Sequence, residues 1–156
     1  MVLLAEPLLH RLEAVRRLAD ELFRTYGLTG WSLVLNRRKR EMGLCDFDRH
    51  VIALSLHFIR LNGEEAIRDT LLHEIAHALV GPGHGHDQVW KQKCLAVGAR
   101  PQRLSFEAVM PPGRWQAVCG ACGMIHHKHR RPKRTTGWYC RFCGPIQGRL
   151  TWKPAC

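Results

Sequence analysis

The chain has 156 residues, with 24 lysines and arginines against 13 acids for a formal charge of +11, and 46% of it is hydrophobic. That length suits one domain of ordinary size, or a compact domain followed by a small stapled module, and the charge surplus points to a polyanionic partner without bearing on fold. The opening stretch MVLLAEPLLHRLEAVRRLADELF is broken by Glu6, His10, Arg11 and Glu13, which excludes the apolar core of a secretory signal, and no later run is long enough to span a membrane.

A soluble, intracellular protein follows from that reading, cytoplasmic and with no membrane partner. The seven cysteines are then read as metal ligands where they pair as Cys-x-x-Cys, because a reducing compartment disfavours disulfides.

In chain order, Leu8, Leu12, Val15, Ala19, Leu22 and Tyr26 alternate at spacings of four and three, one apolar stripe on a helix that Pro7 opens and Gly27 closes. WSLVLN turns Trp31, Leu33 and Leu35 inward, and MGLC and VIALSL flank the polar turn DFDRH; together they predict a small antiparallel sheet. Asn62 is placed to cap a second helix, with Glu64 and Glu65 at its positive end and Ile67, Leu71, Ile75 and Leu79 on its buried face, up to Gly81-Pro82. A third helix is predicted from about His86 to Val97, with Trp90, Cys94 and Val97 on one face and Gly98 behind it. From Arg100 to Gly113 the composition loosens and ends in PPG, which sets a domain boundary: residues 1–110 form one domain and 113–156 another. The fold class expected is α+β, helices on a short mixed or antiparallel sheet, followed by a four-cysteine zinc ribbon.

Residues 73–86 read HEIAHALVGPGHGH. On a helix, His73 and His77 lie one turn apart on one face, where both imidazoles reach a single ion at about 2.0 to 2.1 Å. His-Glu-x-x-His is the zinc-hydrolase pattern in which the carboxylate, here Glu74, is no ligand but the base that deprotonates a metal-acidified water. The bland alternative, two solvated histidines, sits poorly with Ile75, Ala76, Ala78 and Leu79, which bury the helix and make partnerless polar groups costly. A catalytic ion takes a third protein ligand and keeps one open position. His84 and His86 are the candidates. His86 is favoured locally because it lies one turn before Trp90, whereas His84 sits between two glycines and suits a loop or a substrate contact. The longer motif, with glycine three residues after the second histidine and a histidine three further on, is absent: position 80 is Val and position 83 is Gly.

Cys119-x-x-Cys122 and Cys140-x-x-Cys143, separated by seventeen residues and each followed by glycine (Gly123, Gly144), have the spacing of a two-knuckle ribbon. Four thiolates close the coordination sphere, so this second zinc is structural, and such binding supplies roughly 10 to 16 kcal/mol of folding energy. Cys45 and Cys94 are read as small buried residues and Cys156 as a terminal thiol. Between the knuckles runs HHKHRRPKRTTGWY, and after Glu107 the chain holds no acid. Lys128, Arg130, Arg131, Lys133 and Arg134 are candidate phosphate contacts. Trp138 and Tyr139, with Trp115 and Trp152, are aromatic surface suited to stacking on bases, although some of these rings must cover the ribbon's own core.

LLHEIAHAL followed by GHDQVW, preceded by a sheet containing IALS and followed by a four-cysteine ribbon, resembles the SprT-like family of zinc metallopeptidases, the Spartan-related DNA–protein crosslink proteases. The resemblance spans nearly the whole chain. It implies a gluzincin-like protease core with a cleft open along the sheet's edge, His73, His77 and His86 as ligands of a catalytic Zn2+, Glu74 as general base, and activity that depends on nucleic acid. One departure is Asp87, where the family has glycine after the third ligand. The expected partners are DNA, single-stranded in the first place, and proteins bound or crosslinked to it; the expected cofactors are two Zn2+ per chain, and the expected state is a monomer associated with DNA or the nucleoid. Two other readings of the same residues are a nucleic-acid-binding adaptor whose metallo-core is only structural, which would have no use for Glu74, and another metal-dependent hydrolase.

Overall fold

A computed structural model describes residues 6–102 and 108–155. The chain divides into two compact units, Met1–Pro111 and Pro112–Cys156. Glu107 and Cys156, named above, lie outside the described residues.

In the first unit, helix α1 (Glu6–Thr25) precedes strands β1 (Ser32–Asn36), β2 (Gly43–Asp46) and β3 (Val51–Ser55), then helices α2 (Leu56–Leu61), α3 (Glu64–Val80) and α4 (Gln88–Val97). The α1 stripe is used as its spacing predicts: Val15, Ala19 and Leu22 are buried, joined by Phe23. The Tyr26 hydroxyl closes the helix against α4 by donating to the Val97 carbonyl at 3.0 Å.

The sheet has the order β1-β3-β2, and it is mixed rather than wholly antiparallel. The hairpin around DFDRH is present, with Gly43 opposite Leu54 and Asp46 opposite Val51. β1, however, runs parallel to β3, with Ser32 opposite Val51 and Asn36 opposite Ser55. The reason lies in β3. All five of its residues are buried, the apolar run Val51–Leu54 and then Ser55, as in a strand covered on both faces, which takes the centre of a sheet. β1 and β2 are thereby its edges, and β2 has no partner on its outer side among the described residues.

Leu56 does not prolong β3 but opens α2, because the buried Ser55 hydroxyl accepts from the Phe58 amide as a helix cap. The same hydroxyl donates to the Arg38 carbonyl and ties the β1–β2 loop to the sheet.

The cap assigned to Asn62 is also revised. α3 is capped by Gly63, with no side-chain bond. Asn62 instead closes α2 and holds the returning chain. Its amide nitrogen donates to the carbonyls of Phe58 (2.8 Å) and Val109 (2.7 Å), and its side-chain oxygen accepts from the Val109 amide at 2.7 Å. A side-chain amide carries a donor and an acceptor side by side, so it pairs with one backbone unit of an extended segment as a neighbouring strand would. The Arg11 guanidinium donates to its backbone carbonyl.

α3 is the centre of this unit. Ile67, Leu71, Leu72, Ile75 and Ala76 are buried in a core shared with α1, β3, α4 and Phe58 and Ile59 of α2. Gly98 adopts a left-handed conformation (φ 81°) and closes α4, and the chain continues into the same core with Ala99, Ala108 and Met110.

The second unit holds β4 (Trp115–Val118), β5 (Ile125–Lys128), β6 (Trp138–Tyr139), the short α5 (Gly144–Gln147), β7 (Arg149–Leu150) and β8 (Lys153–Pro154). One sheet is ordered β5-β4-β8 and a two-stranded one pairs β6 with β7. Among the described residues its apolar core is Ala117, Cys119, Cys140, Leu150 and Trp152, with Trp115 and Cys143 packed on it. No helix among the described residues is long and apolar enough to cross a membrane.

Replacing Asn62 by alanine removes both hydrogen bonds to the Val109 backbone and one of the two to the Phe58 carbonyl, so Asn62→Ala should lower unfolding free energy by about 1 to 3 kcal/mol. A urea-denaturation midpoint unchanged from wild type would show that the Val109 segment is held by other means.

Candidate metal centres and active-site cleft

Helix α3 presents His73 and His77 on one face, and the chain after Gly81 returns His86 to meet them. The Nε2 atoms of His73 and His77 lie 3.2 and 3.3 Å from Nε2 of His86. A tetrahedral ion bonded to imidazole nitrogens holds them about 3.3 Å apart. The donor set therefore fits a zinc ion, with three neutral nitrogens converging and the fourth direction left to the cleft.

His86 does not belong to α4. It stands just ahead of Asp87, the N-cap, whose carboxylate accepts from the Trp90 amide at 2.9 Å. The residue that departs from the family pattern thus has a local task, starting the helix that carries Trp90. His84 is directed elsewhere, with its Nδ1 2.7 Å from Asp87 Oδ2. The Trp90 amide and then His84 hold the Asp87 carboxyl below its ordinary value. Trp90 is fully buried and forms the floor of the site: its ring centroid lies 4.6, 5.0 and 4.5 Å from those of His73, His77 and His86.

The site's electrostatics follow from burial. Burial, and then the neighbouring imidazoles His77 and His86, pull His73 down to about 4. His77 falls to about 4 by burial and then by His86. Glu74 is buried at 7% exposure and pushed up to about 8 by that burial, then by Glu41. Each group is held in its neutral form, and a cation would reverse the balance for Glu74 alone, since it favours a carboxylate and disfavours imidazolium.

All four side chains face a cleft of about 430 Å³ whose other wall is β2 with its flanks, including Met42, Leu44 and Phe47. Cys45, read from the sequence as a buried small residue, is half-buried and lines this wall; burial and then Glu74 push its thiol up to about 12. Arg100 closes the far side through Asp69, which accepts from its backbone amide at 2.9 Å and its guanidinium at 3.2 Å.

One functional position escaped the sequence reading. A Cβ on Gly43 would lie 2.9 Å from Glu74 Oε1, 3.0 Å from Glu74 Cγ and 3.1 Å from Thr70 Cγ2. The carboxylate therefore lies against bare backbone of β2. The available signal was a glycine inside a strand pattern, which marks close approach of another group.

In the second unit the four sulfurs of Cys119, Cys122, Cys140 and Cys143 lie within 4.8 Å of one another. Cys122 and Cys140 are 3.9 Å apart, near the separation of about 3.8 Å for thiolates on one tetrahedral zinc. The two knuckles have the same construction. Gly123 and Gly144 are left-handed (φ 72° and 73°), and their amides return to the carbonyls of Cys119 and Cys140 at 2.8 and 2.9 Å. The amides that turn toward sulfur are the preceding ones. Cys122's, then Ala121's, draw Cys119 down to about 7, and Phe142's, then Cys143's, lower Cys140.

The structure also divides the ribbon's aromatic residues. Trp152 is core, Trp115 is half-buried, and Trp138 and Tyr139 are exposed. Arg130, Arg131, Lys133 and Arg134 are exposed as well. Lys128 differs from them: it is half-buried, with its ammonium 3.2 Å from the Trp138 ring centroid. Trp138 is fixed further by its indole N–H, which donates to the Arg134 carbonyl at 2.9 Å.

An α+β unit whose central helix bears His-Glu-x-x-His beside a third histidine and an open sheet edge has the build of a metallohydrolase core. A model of the SprT-like family matches residues 12–109, more than half of the chain, and the chain belongs to that family. The resemblance drawn from the motif holds at that level, and the matched range ends before the ribbon. No curated protein matches the chain. Among solved structures it is similar to the metallopeptidase zymogen jannalysin of Methanocaldococcus jannaschii, at 13% identity and TM-score 0.47, over 60% of this chain and 85% of that one. Family and donor set together support a metalloprotease.

Gly43→Ala should force the Glu74 carboxylate to move and cost about 1 to 3 kcal/mol as an overpacking change. In a double-mutant cycle read by thermal unfolding, Glu74→Ala should relieve most of that cost. Additive effects would mean that the two residues do not press on each other.

Proposed function

We propose that the protein is a DNA-dependent zinc endopeptidase that cleaves proteins bound or crosslinked to DNA. The observation that carries this reading is the convergence of three imidazole nitrogens beside a buried glutamate, in a cleft walled by a sheet edge that is unpaired among the described residues. His73, His77 and His86 would hold the catalytic zinc, and the four cysteines a second, structural one. When bound, the catalytic zinc acidifies water and polarises the scissile carbonyl. Glu74 takes the water's proton on its carboxylate and returns it to the leaving amine nitrogen. The free edge of β2 offers backbone donors and acceptors to an extended peptide, which would lie along Leu44 and Met42 as an added strand. Gly43 leaves room for Glu74 beneath that peptide.

The DNA half of the proposal rests on the ribbon. It holds nine lysines and arginines and no acid, with Trp138 and Tyr139 exposed among them. Single strands suit such a surface because stacking accepts any base. Action on DNA would place the protein in the cytoplasm with the nucleoid.

The test is cleavage of a basic DNA-binding protein with and without single-stranded DNA. Wild type should carry two zinc ions and cut faster with DNA. Glu74→Gln should keep both ions and lose about three orders of magnitude or more in rate, since the base disappears and no ligand does. Cleavage that persists in this variant would refute the assignment of Glu74. A DNA-indifferent rate would leave a metallopeptidase with a basic tail of other use.

A second expectation concerns pH. A lowered histidine pKa means that protons compete for the nitrogens only well below the ordinary range. The histidine-held ion should therefore persist at about pH 5, where free imidazole is largely protonated, and leave on approach to pH 4. Cobalt(II) absorption, which separates the nitrogen site from the thiolate site, checks this on dialysed protein. Release centred at or above 6.5 would contradict it.

A further inference from the structure

Residues 1–111 hold 15 lysines and arginines against 13 acids, so the first unit is close to neutral. Four of those cations are consecutive: Arg37, Arg38, Lys39 and Arg40, all exposed, on the loop between β1 and β2. This loop has a defined backbone. Asn36 Oδ1 accepts from the Arg38 amide at 2.9 Å, Ser55's hydroxyl donates to the Arg38 carbonyl, and the Ser55 amide donates to the Met42 carbonyl at 2.9 Å. Arg38 is turned aside to pair with Glu41. Arg37 and Lys39 point to solvent beside it, and Arg40 lines the mouth of the cleft.

We infer that this loop is a second nucleic-acid contact, on the protease unit itself, in which Arg37, Lys39 and Arg40 neutralise backbone phosphates at the entrance to the cleft. The inference rests on the DNA-dependent reading above and adds to the ribbon a surface next to the chemistry. Two features favour phosphates over carboxylates of a protein substrate. A nucleic-acid strand repeats its charge about every 3.4 Å of helix axis, so one strand can meet several adjacent cations, whereas an acidic side chain meets one. Arg37 and Lys39 also lie outside the cleft lining, where a cleaved peptide would not need them. Pinning the backbone lowers the entropy lost when the cations bind.

The test uses the full zinc-loaded chain and fluorescein-labelled single-stranded polythymidine, with affinity followed by anisotropy across a salt series. The Arg37→Ala, Lys39→Ala, Arg40→Ala variant should lower the log-log salt slope by about 2, from about 0.7 for each of three phosphates. That corresponds to roughly 100-fold weaker binding at about 0.1 M salt relative to wild type, a gap that closes toward about 1 M. A control variant, Arg16→Ala, Arg17→Ala, Lys91→Ala, removes the same charge from exposed positions of α1 and α4 and should keep the wild-type slope. Equal weakening in both variants would reduce the effect to net charge and overturn the inference. An unchanged slope in the loop variant would overturn it while leaving the ribbon reading intact. Unchanged oligonucleotide binding, with lost preference for a glutamate-containing peptide over its glutamine counterpart, would reassign the loop to substrate carboxylates. Absence of binding by wild type at every salt concentration would remove both this inference and the DNA-dependent reading beneath it.

Discussion

Helix α3 must be buried for the first unit to fold, and it takes His73, Glu74 and His77 into the protein with it. Ile67, Leu71 and Ile75 are at most 1% exposed, and burying side chains of this size contributes about 1.5 to 3 kcal/mol each. The polar residues of the same helix are desolvated in consequence. That one constraint sets the state of the site: imidazoles kept neutral, and a carboxyl kept protonated to about 8. Neutral imidazole is the form that binds a metal, so burial prepares the ligands. A dication beside Glu74 would favour its ionised form, so the ion that the histidines attract would also make the base available.

The second unit obeys a different constraint. Among the described residues, an apolar cluster with five buried members is too small to hold 45 residues by apolar contact alone, and two of the five are cysteines that need a partner. The duplicated knuckle supplies one. Left-handed glycines fold each Cys-x-x-Cys back on itself so that backbone N–H groups stabilise thiolate at the first cysteine of each pair, Cys119 and Cys140. Gly148 belongs to the same device: a Cβ there would lie 2.8 Å from Cys143 Cβ and 3.0 Å from Cys140 Cβ. With the interior so small, Trp138 and Tyr139 have nowhere to be buried, and Lys128 finds in Trp138 the partner that an acid would otherwise supply.

What could be read from the sequence was whatever is local. His73 and His77 share a helix face by spacing alone, the cysteine pairs announce their knuckles, and the α1 stripe and the β2–β3 hairpin follow from period and turn chemistry. The non-local arrangements were not visible. That β1 pairs with β3 in parallel is a long-range arrangement that the pattern within either strand does not display. Asn62 looked like a helix cap because its true partner, Val109, is 47 residues away. His86 could be preferred over His84 from Trp90's position, but the convergence itself needed the turn through Gly81 and Gly83, both left-handed (φ 85° and 96°). Gly43 was a strand glycine with no stated reason until Glu74 was found against it.

β2 brings these pieces to one place. An unpaired sheet edge invites unwanted pairing, and proteins usually blunt or cover it. Here it is kept to four residues, too short to template a long strand from another chain, and it is left uncovered where the cleft runs. One face of the strand packs on α3, and at Gly43 that packing is backbone against the Glu74 side chain. Its other resource, the free backbone edge, stays available. A peptide paired with that edge would be held in register relative to Gly43, and hence relative to the carboxylate touching it. Positioning of substrate and positioning of base would then be a single geometric fact about one short strand, which is why a methyl group at residue 43 would disturb more than the space it fills.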